Sequence, residues 1–277
     1  MVRILVFAGL IVLAPVVDAC EASLKLSGMI EVSNCLHGEP GCVSAGQQLY
    51  KYTEASPDDP TSFSIALQSS PWRLYDTDMR IISVEEVAKM VRSHPDPKIN
   101  RVELIGSWTG VAPSAGVPSL ATRLSKALDD FPVKGENGFL WMDKHGATRT
   151  THQAFTARRG SGPYGVHEGD EVMVSLVDGW AAGMEDRIPA IDGEVMLMAG
   201  VGQDVFMLCP EHALADFEAA AKMGNAVAAY NAALIRLERN EAGDRQAAER
   251  LLAQAATLGD SKSTERLAGL RHVPPAR

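Results

Sequence analysis

The sequence lacks a long apolar run after residue 17, and it lacks an excess of basic residues. Without such a run it shows no sign of a later transmembrane helix, which needs about 20 apolar residues. The formal net charge is −9, and the residues from Glu211 onward include nine acidic and nine basic side chains, so the negative excess lies before Glu211. Binding to nucleic acid depends on neutralising phosphates, so we predict no nucleic-acid partner.

The short motifs of several enzyme classes are also missing. The seven histidines contain no H-E-x-x-H spacing, and the glycine-rich segment 160–165 lacks the lysine of a phosphate-binding loop. The turn Gly106-Ser107-Trp108-Thr109-Gly110 has tryptophan where a nucleophile elbow needs serine. We therefore predict no cofactor and no metal. A loop metal site near His145, His152 and His167 is the alternative.

The N-terminus has the three-part pattern of a signal peptide. Arg3 supplies a positive charge, an apolar run extends from Ile4 to Val17, and Ala19 precedes the expected cut. We expect residues 1–19 to be removed and the mature protein to be periplasmic or secreted. Because Cys20 then becomes the first mature residue, a lipid anchor at Cys20 is the alternative to simple cleavage, and membrane contact is expected only in that case.

The mature chain has four cysteines, and export makes disulfides the default expectation. Cys35 and Cys42 flank a turn containing glycine and proline, which favours a disulfide between them. Cys20 and Cys209 are then left over, either paired with each other or separated by lipidation of Cys20. A metal site built from Cys35, His37 and Cys42 is the alternative to the first disulfide.

Residues 20–210 predict an α/β domain, with 20–60 as a hairpin and loop that lead into it. Strands are predicted at 63–67 and 101–105, and helices follow at 83–91, with a capping box of Ser83 and Glu86, and at 119–128. This alternation of strands and helices predicts parallel pairing. Apolar segments predict an additional strand-rich part at 171–177, 194–198 and 205–208.

From residue 211 the sequence becomes alanine-rich and repeats itself. Ala220-Ala221-Lys222-Met223-Gly224-Asn225 returns as Ala255-Ala256-Thr257-Leu258-Gly259-Asp260, a period of 35 residues that is typical of helical hairpins. Residues 211–271 resemble Sel1-like repeats, which are relatives of tetratricopeptide repeats, and 272–277 are predicted to be a disordered end. Because about one and a half repeats cannot bury a core alone, we expect this tail to pack on the α/β domain.

The segment 61–146 resembles bacterial caspase-like domains of the cysteine-peptidase type in the order of its elements. A capped helix, a strand, the turn at 106–110, a second helix, Gly138-Phe139-Leu140-Trp141 and Lys144-His145-Gly146 follow one another. The resemblance implies a parallel-sheet body with histidine after one strand and cysteine after the next. Those positions fall near Ser69-Ser70 and at Ser107, so it also implies that the catalytic pair is absent.

The leading functional hypothesis is an exported, non-catalytic adaptor whose Sel1-like tail binds a protein partner or braces the body. The alternative is a periplasmic hydrolase or peptidase that uses Ser107, His145 or His152. A serine without an adjacent base is a poor nucleophile, which favours the adaptor. Ligand binding by Ser107, Trp108 and Thr109 is a further hypothesis, because parallel sheets bind ligands at the carboxyl ends of their strands. The sequence does not indicate an oligomeric state.

Overall fold

The computed structural model describes residues 42–44, 52–57, 59–143, 145–152, 165–167 and 192–272. The predictions for the signal peptide, Cys20, Cys35, most of the 20–60 lead-in, residues 160–164 of the glycine-rich loop, the strand at 171–177 and residues 273–277 lie outside these ranges. The described residues form a mixed α/β body and a C-terminal all-helical region.

The strands in the described ranges are β1 Cys42–Ser44, β2 Ser62–Ala66, β3 Gln68–Ser69, β4 Leu74–Tyr75, β5 Ile81–Ile82, β6 Arg101–Ile105, β7 Val133–Lys134, β8 Phe139–Met142, β9 Thr148–Thr151 and β10 Gly165–His167. The helices are α1 Val84–Arg92, α2 Leu120–Ala127, α3 Gly193–Val205, α4 Pro210–Lys222, α5 Ala226–Arg239, α6 Asp244–Thr257 and α7 Ser261–His272.

The body is built on a three-stranded parallel sheet with the order β2-β6-β7. Ser62 lies opposite Arg101 and Ala66 opposite Ile105, and β7 extends the sheet beside β6. Helices α1 and α2 connect these strands in the chain and pack against each other. The predicted parallel α/β arrangement is therefore confirmed at this level.

The start of α1 follows from a local sequence signal. The Ser83 hydroxyl accepts the Glu86 N–H, while the Glu86 carboxylate accepts the Ser83 N–H at 2.8 Å, which completes the predicted capping box. The helix buries Val84, Val87 and Ala88 against the sheet and α2. These apolar contacts form the first of two main cores.

The body also contains antiparallel strand pairs outside the parallel sheet. The short meander β3-β4-β5 is inserted between β2 and α1, and β8 pairs with β9. Strand β1 lies in the predicted lead-in, but it pairs with β10 rather than with a local neighbour. The meander is the part of the body that carries most of the polar side chains in contact with the helical region.

The helical region begins at Gly193, so the strands predicted at 194–198 and 205–208 are wrong. Asp192 caps α3 by accepting the N–H groups of Glu194 and Val195, each at 2.9 Å. The helix is buried on nearly all sides and therefore shows no amphipathic period. A buried helix and a buried strand look alike in such an apolar sequence.

The 35-residue sequence repeat appears in the structure as two similar helix–turn–helix connections. Gly224 between α4 and α5 and Gly259 between α6 and α7 have φ angles of 89° and 92°, where glycine is favoured. Asn225 caps α5 by accepting the Ala228 N–H, and Asp260 accepts the Ser263 N–H at the equivalent place. The sequence repeat thus corresponds to a structural repeat.

The helical region packs on the body, as the small number of repeats predicts. One continuous core contains Tyr75, Ile81, Phe139 and Trp141 of the body together with residues of α3, α4 and α5. Gly200 of α3 allows a close helix approach, because a Cβ there would lie 2.6 Å from the Phe217 ring. The two parts therefore fold around a shared interior.

Candidate functional site

The turn at 106–110 follows β6 and is closed by its own side chains. Ser107 is 2 % exposed, and its hydroxyl accepts the Leu140 N–H at 3.1 Å. Thr109 is fully buried; its hydroxyl donates to the Gly106 carbonyl and accepts the Glu136 N–H at 2.9 Å. The Ser107 hydroxyl thus joins the turn to β8 and the Thr109 hydroxyl joins it to the segment before β8, which is a structural use of both side chains.

Trp108 holds an unusual conformation in the same turn. Its φ angle is 65°, which is uncommon for a large side chain and costs energy. The indole is 8 % exposed and lies edge-on to Phe139, with ring centroids 5.2 Å apart. Its N–H has no hydrogen-bond acceptor among the described residues. Trp108 is therefore a packed residue of the shared core rather than an open stacking surface.

The candidate histidines do not form a nucleophile–base pair with Ser107 in the part of the chain that the structure describes. The His152 ring lies 5.9 Å from the Trp108 ring, centroid to centroid. His145 lies in the turn between β8 and β9, where its N–H donates to the Asp143 carboxylate at 2.9 Å. The structure thus brings His152 near the turn while the Ser107 hydroxyl is bound to a backbone N–H.

Within the described ranges, no group of three or more His, Cys, Asp or Glu side chains is placed to hold a metal ion. Cys209 is buried and disulfide-bonded, and its partner lies outside the described side chains. The pairing of Cys209 with Cys20 and the bond between Cys35 and Cys42 therefore stay predictions. None of the described helices has the length and apolar character needed to cross a membrane.

The main polar feature is a buried network around Asp204 of α3. Its fully buried carboxylate accepts hydrogen bonds from the Ser70 and Tyr75 hydroxyls at 2.8 Å and from the Arg73 guanidinium at 2.7 Å. Arg73 also pairs with Glu238 of α5 at 2.7 Å. The meander of the body is thereby fixed to two helices.

The charges in this network shift the pKa values of Arg73 and Tyr75. Burial lowers the pKa of Arg73, but the neighbouring charges of Asp204 and Glu238 outweigh burial and raise it above the ordinary value. Burial, followed by the charge of Asp204, raises the pKa of Tyr75 well above its ordinary value. Tyr75 therefore remains a hydrogen-bond donor throughout the physiological pH range.

Further contacts fix the meander to the helices next to this network. The fully buried Asn231 of α5 accepts the Ile81 N–H at 2.9 Å and donates to the Met79 carbonyl at 2.8 Å. Arg80 pairs with Asp260 at the start of α7 and lies 5.0 Å from the centre of the Tyr230 ring. The segment 79–81, which leads into β5, is thus held by α5 and by the start of α7.

Beside this interface lies a cleft of about 890 Å³ between the body and the helical region, hereafter the cleft. It is open to solvent. Its residues come from β4, β5, α1, α2, α5, α6, α7 and the loop before β4. They are Trp72, Arg73, Leu74, Ile81, Ile82, Ser83, Val84, Glu86, Leu120, Arg123, Tyr230, Leu234, Leu237, Glu238, Arg245, Lys262, Glu265, Arg266, Gly269 and Leu270.

The two walls of the cleft are joined by ion pairs. Arg73 of the body contacts Glu238 of α5 at 2.7 Å, and Lys262 of α7 contacts Glu86 of α1 at 2.9 Å. Burial opposes ionisation of Glu86, but the Ser83 N–H and Lys262 together hold its pKa below the ordinary value. These contacts fix the two walls of the cleft relative to each other.

Sequence reasoning missed the cleft, because its residues come from distant parts of the chain. Ser83 and Glu86 among them form the predicted capping box, but that motif indicates only a helix start, and the candidates Ser107, Trp108, Thr109, His145 and His152 do not line the cleft. One signal was available in the sequence. Asp204 is the single charged residue in the apolar segment 195–208, and a lone carboxylate there indicates a specific buried partner.

Comparison with known proteins gives one family match. Residues 36–150, less than half of the chain, match the family described as Domain of unknown function (DUF8616). The match covers the parallel sheet and ends within β9, before the helical region. No curated protein and no solved structure matches the chain.

Proposed function

We propose that this chain is an exported, non-catalytic interaction protein that binds an extended segment of a protein partner in the cleft. The cleft itself is the observation that carries this proposal. Its volume of about 890 Å³ is in the range of ligand pockets, and its lining combines leucines with charged side chains. Because ion pairs already join its walls, a ligand would meet little cost of reorganisation there.

The non-catalytic part of the proposal is supported by the positions that a caspase-like ancestry would make catalytic. The Ser69 hydroxyl donates to the Ser107 carbonyl at 2.8 Å, so the ends of β3 and β6 are neighbours. Serine occupies both positions, and the Ser107 hydroxyl accepts the Leu140 N–H. We propose a caspase-like relic that has kept the arrangement of its strands without the thiolate and imidazole.

The repeated hairpins of the helical region also support a role in binding a protein partner. The connections at Gly224 and Gly259 share their φ angles and their capping pattern, which agrees with Sel1-like hairpins. Hairpin repeats present extended surfaces for partners. Here α5 and α7 form one wall of the cleft. We propose that the tail both braces the body and provides half of the binding surface.

Export is proposed on the signal-peptide pattern of residues 1–19. The disulfide bond at Cys209 agrees with an oxidising compartment. Simple cleavage would leave the Cys20 thiol able to pair with Cys209, whereas lipidation of Cys20 would occupy that thiol. Mass spectrometry of the mature N-terminus, without reduction, distinguishes these outcomes and identifies the partner of Cys209.

Blocking the cleft without disturbing the fold tests the proposal. Gly269 of α7 lines the cleft, and a Cβ there meets no atom within 4 Å, so Gly269→Phe places a ring in the opening. Leu258→Phe adds a ring at a 49 % exposed position outside the cleft and is the control. A panel of labelled dodecapeptides that vary in charge and apolar content serves as the probe.

We expect saturable binding of some peptides to the unmodified chain and to Leu258→Phe, and loss of that binding in Gly269→Phe. Equal binding by both variants, or no saturable binding by any peptide, would refute the proposal. Hydrolysis of peptides that is abolished by Ser107→Ala would favour the peptidase alternative instead. Circular dichroism of each variant confirms that its helices are intact.

A further inference from the structure

The side chains that line the cleft carry more positive than negative charges. Five basic and three acidic side chains line it, although the whole chain carries a net charge of −9. The ion pairs Arg73–Glu238 and Lys262–Glu86 use two of each sign. A cleft with a basic excess on an acidic protein is a local feature that the overall charge does not predict.

The three basic side chains of the cleft outside these ion pairs differ in whether they already have a partner. Arg245 is already bound, because it pairs with Glu249 at 3.4 Å and donates to the Leu270 carbonyl at 2.7 Å. Arg123 and Arg266 form no ion pair with any residue that the structure describes. The unpaired acidic group among the lining residues is the exposed Glu265. Two guanidinium groups are therefore free to bind an anion.

These two arginines lie on opposite walls. Arg123 belongs to α2 of the body, and Arg266 belongs to α7 of the helical region. A guanidinium offers paired N–H donors that match the two oxygens of a carboxylate. The wall that contains Arg266 also includes the partly buried leucines Leu234 and Leu237 of α5. The cleft thus combines carboxylate-binding groups on both walls with an apolar surface on one of them.

We propose that the segment bound in the cleft is acidic, with carboxylates that pair with Arg123 and Arg266 and apolar side chains that cover Leu234 and Leu237. This inference rests on the proposed function and names the chemistry of its partner. A polypeptide fits better than a small anion, because the free guanidinium groups stand on different walls of a cleft of about 890 Å³. The net charge of the chain disfavours nucleic acid as the occupant.

The experiment compares three labelled dodecapeptides that differ only in their polar residues, with glutamate, glutamine or lysine between leucines. Fluorescence anisotropy with the full chain should give binding of the glutamate peptide about tenfold tighter than of the glutamine peptide. Arg266→Glu should weaken binding of the glutamate peptide by about tenfold and favour the lysine peptide. Arg250→Glu, at an exposed position of α6 outside the cleft, should leave binding unchanged.

The outcomes separate this inference from the proposed function. If the glutamine peptide binds as tightly as the glutamate peptide, and Gly269→Phe abolishes both, the cleft binds polypeptide but the acidic preference is wrong. If none of the three peptides nor any of the wider panel binds, both proposals fail. Self-association that Arg266→Glu abolishes would identify a second copy as the occupant and overturn the inference. Arg123→Gln and Arg266→Gln repeat the test without reversing a charge.

Discussion

Arg73 and Asp204 form a buried ion pair across 131 positions of sequence, with 2.7 Å between the guanidinium and the carboxylate. Arg73 lies in the loop before β4 and Asp204 near the end of α3, so the pair joins the body to the helical region. Ser70 and Tyr75 satisfy the second oxygen of the carboxylate. A buried pair of this kind stabilises when every member of its network is bound.

Removing the charge of Asp204 should therefore destabilise the whole protein. Asp204→Asn leaves the Arg73 guanidinium buried beside a neutral group, and breaking a buried pair costs roughly 3–5 kcal/mol of unfolding free energy. The exposed pair Arg92–Asp129 provides the control, since Asp129→Asn should change stability by less than about 0.5 kcal/mol. Urea unfolding followed by circular dichroism measures both changes.

The double variant Arg73→Met, Asp204→Leu extends this prediction. Because it removes both charges, no ion is left unpaired in the interior. Its loss of stability should be smaller than the sum of the losses for the two single variants. Additive losses would show that the two residues act independently and would contradict the ion-pair argument.

Asn231 gives a second test of the same interface. Asn231→Leu leaves the Ile81 N–H and the Met79 carbonyl without partners inside the protein, at a cost of about 1–3 kcal/mol for each buried group. Asn240→Gly at the end of the same helix should be nearly neutral, because Asn240 has a φ of 54° that glycine adopts easily. Hydrogen exchange should show faster exchange of the Ile81 amide in Asn231→Leu alone.

Two glycines in helices should respond to alanine in opposite directions. Gly200→Ala places a Cβ 2.6 Å from the Phe217 ring and should lower the stability by about 1–3 kcal/mol. Gly269→Ala meets no atom within 4 Å in α7 and should raise the stability by about 0.5–1 kcal/mol. Thermal unfolding of both variants checks the signs, and Phe217→Leu should partly restore Gly200→Ala.

The protein should lose stability in acid through the ion pairs between body and helices. Burial opposes ionisation of Asp260, but the bonds from Ser263 and Arg80 hold its pKa below the ordinary value, and the pKa of Glu86 is shifted in the same direction. The unfolded chain therefore takes up protons before the folded protein does. The stability that these groups contribute is complete above about pH 5.5, decreases as the pH falls through the ordinary pKa values of Glu and Asp, and is lost once the pH is below the lowered folded pKa values.

Asp260→Asn keeps the helix cap of α7 but removes the charge. We expect this variant to be less stable than the parent at neutral pH and to show a weaker dependence on acid, measured by unfolding at a series of pH values. Asp78→Asn, at an exposed position, is the control. A parent protein whose stability is constant down to about pH 2 would contradict the assignment.

The elements that sequence reasoning predicted well depend on neighbouring residues. The capping box of Ser83 and Glu86 is a four-residue pattern, and the strand at 101–105 alternates between buried and half-buried residues as a strand in a covered sheet does. The repeat at Gly224 and Gly259 is visible because the same turn recurs. These features carry their own explanation in the sequence.

The elements that were missed depend on tertiary contacts. Helix α3 was predicted as strand because its surroundings bury nearly every face, so no helical period is left in the sequence. The cleft joins Arg123 and Arg266, which are far apart in the chain and belong to different parts of the protein. No local sequence pattern predicts that Arg123 and Arg266 line the same cleft. The turn around Ser107, in contrast, has adjacent residues that resemble a site, so the sequence predicts a ligand site there.

The core shared by the body and the helical region limits where the protein can be truncated. A stop codon or a protease cut after β9 would uncover Tyr75, Ile81, Phe139 and Trp141, which α3, α4 and α5 normally cover. Such a fragment would expose a large apolar surface. We expect cellular chaperones and proteases to remove it, so it would not persist as a shorter functional protein. The body and the helical region therefore depend on each other for their fold, although the family match covers residues 36–150 of the body alone.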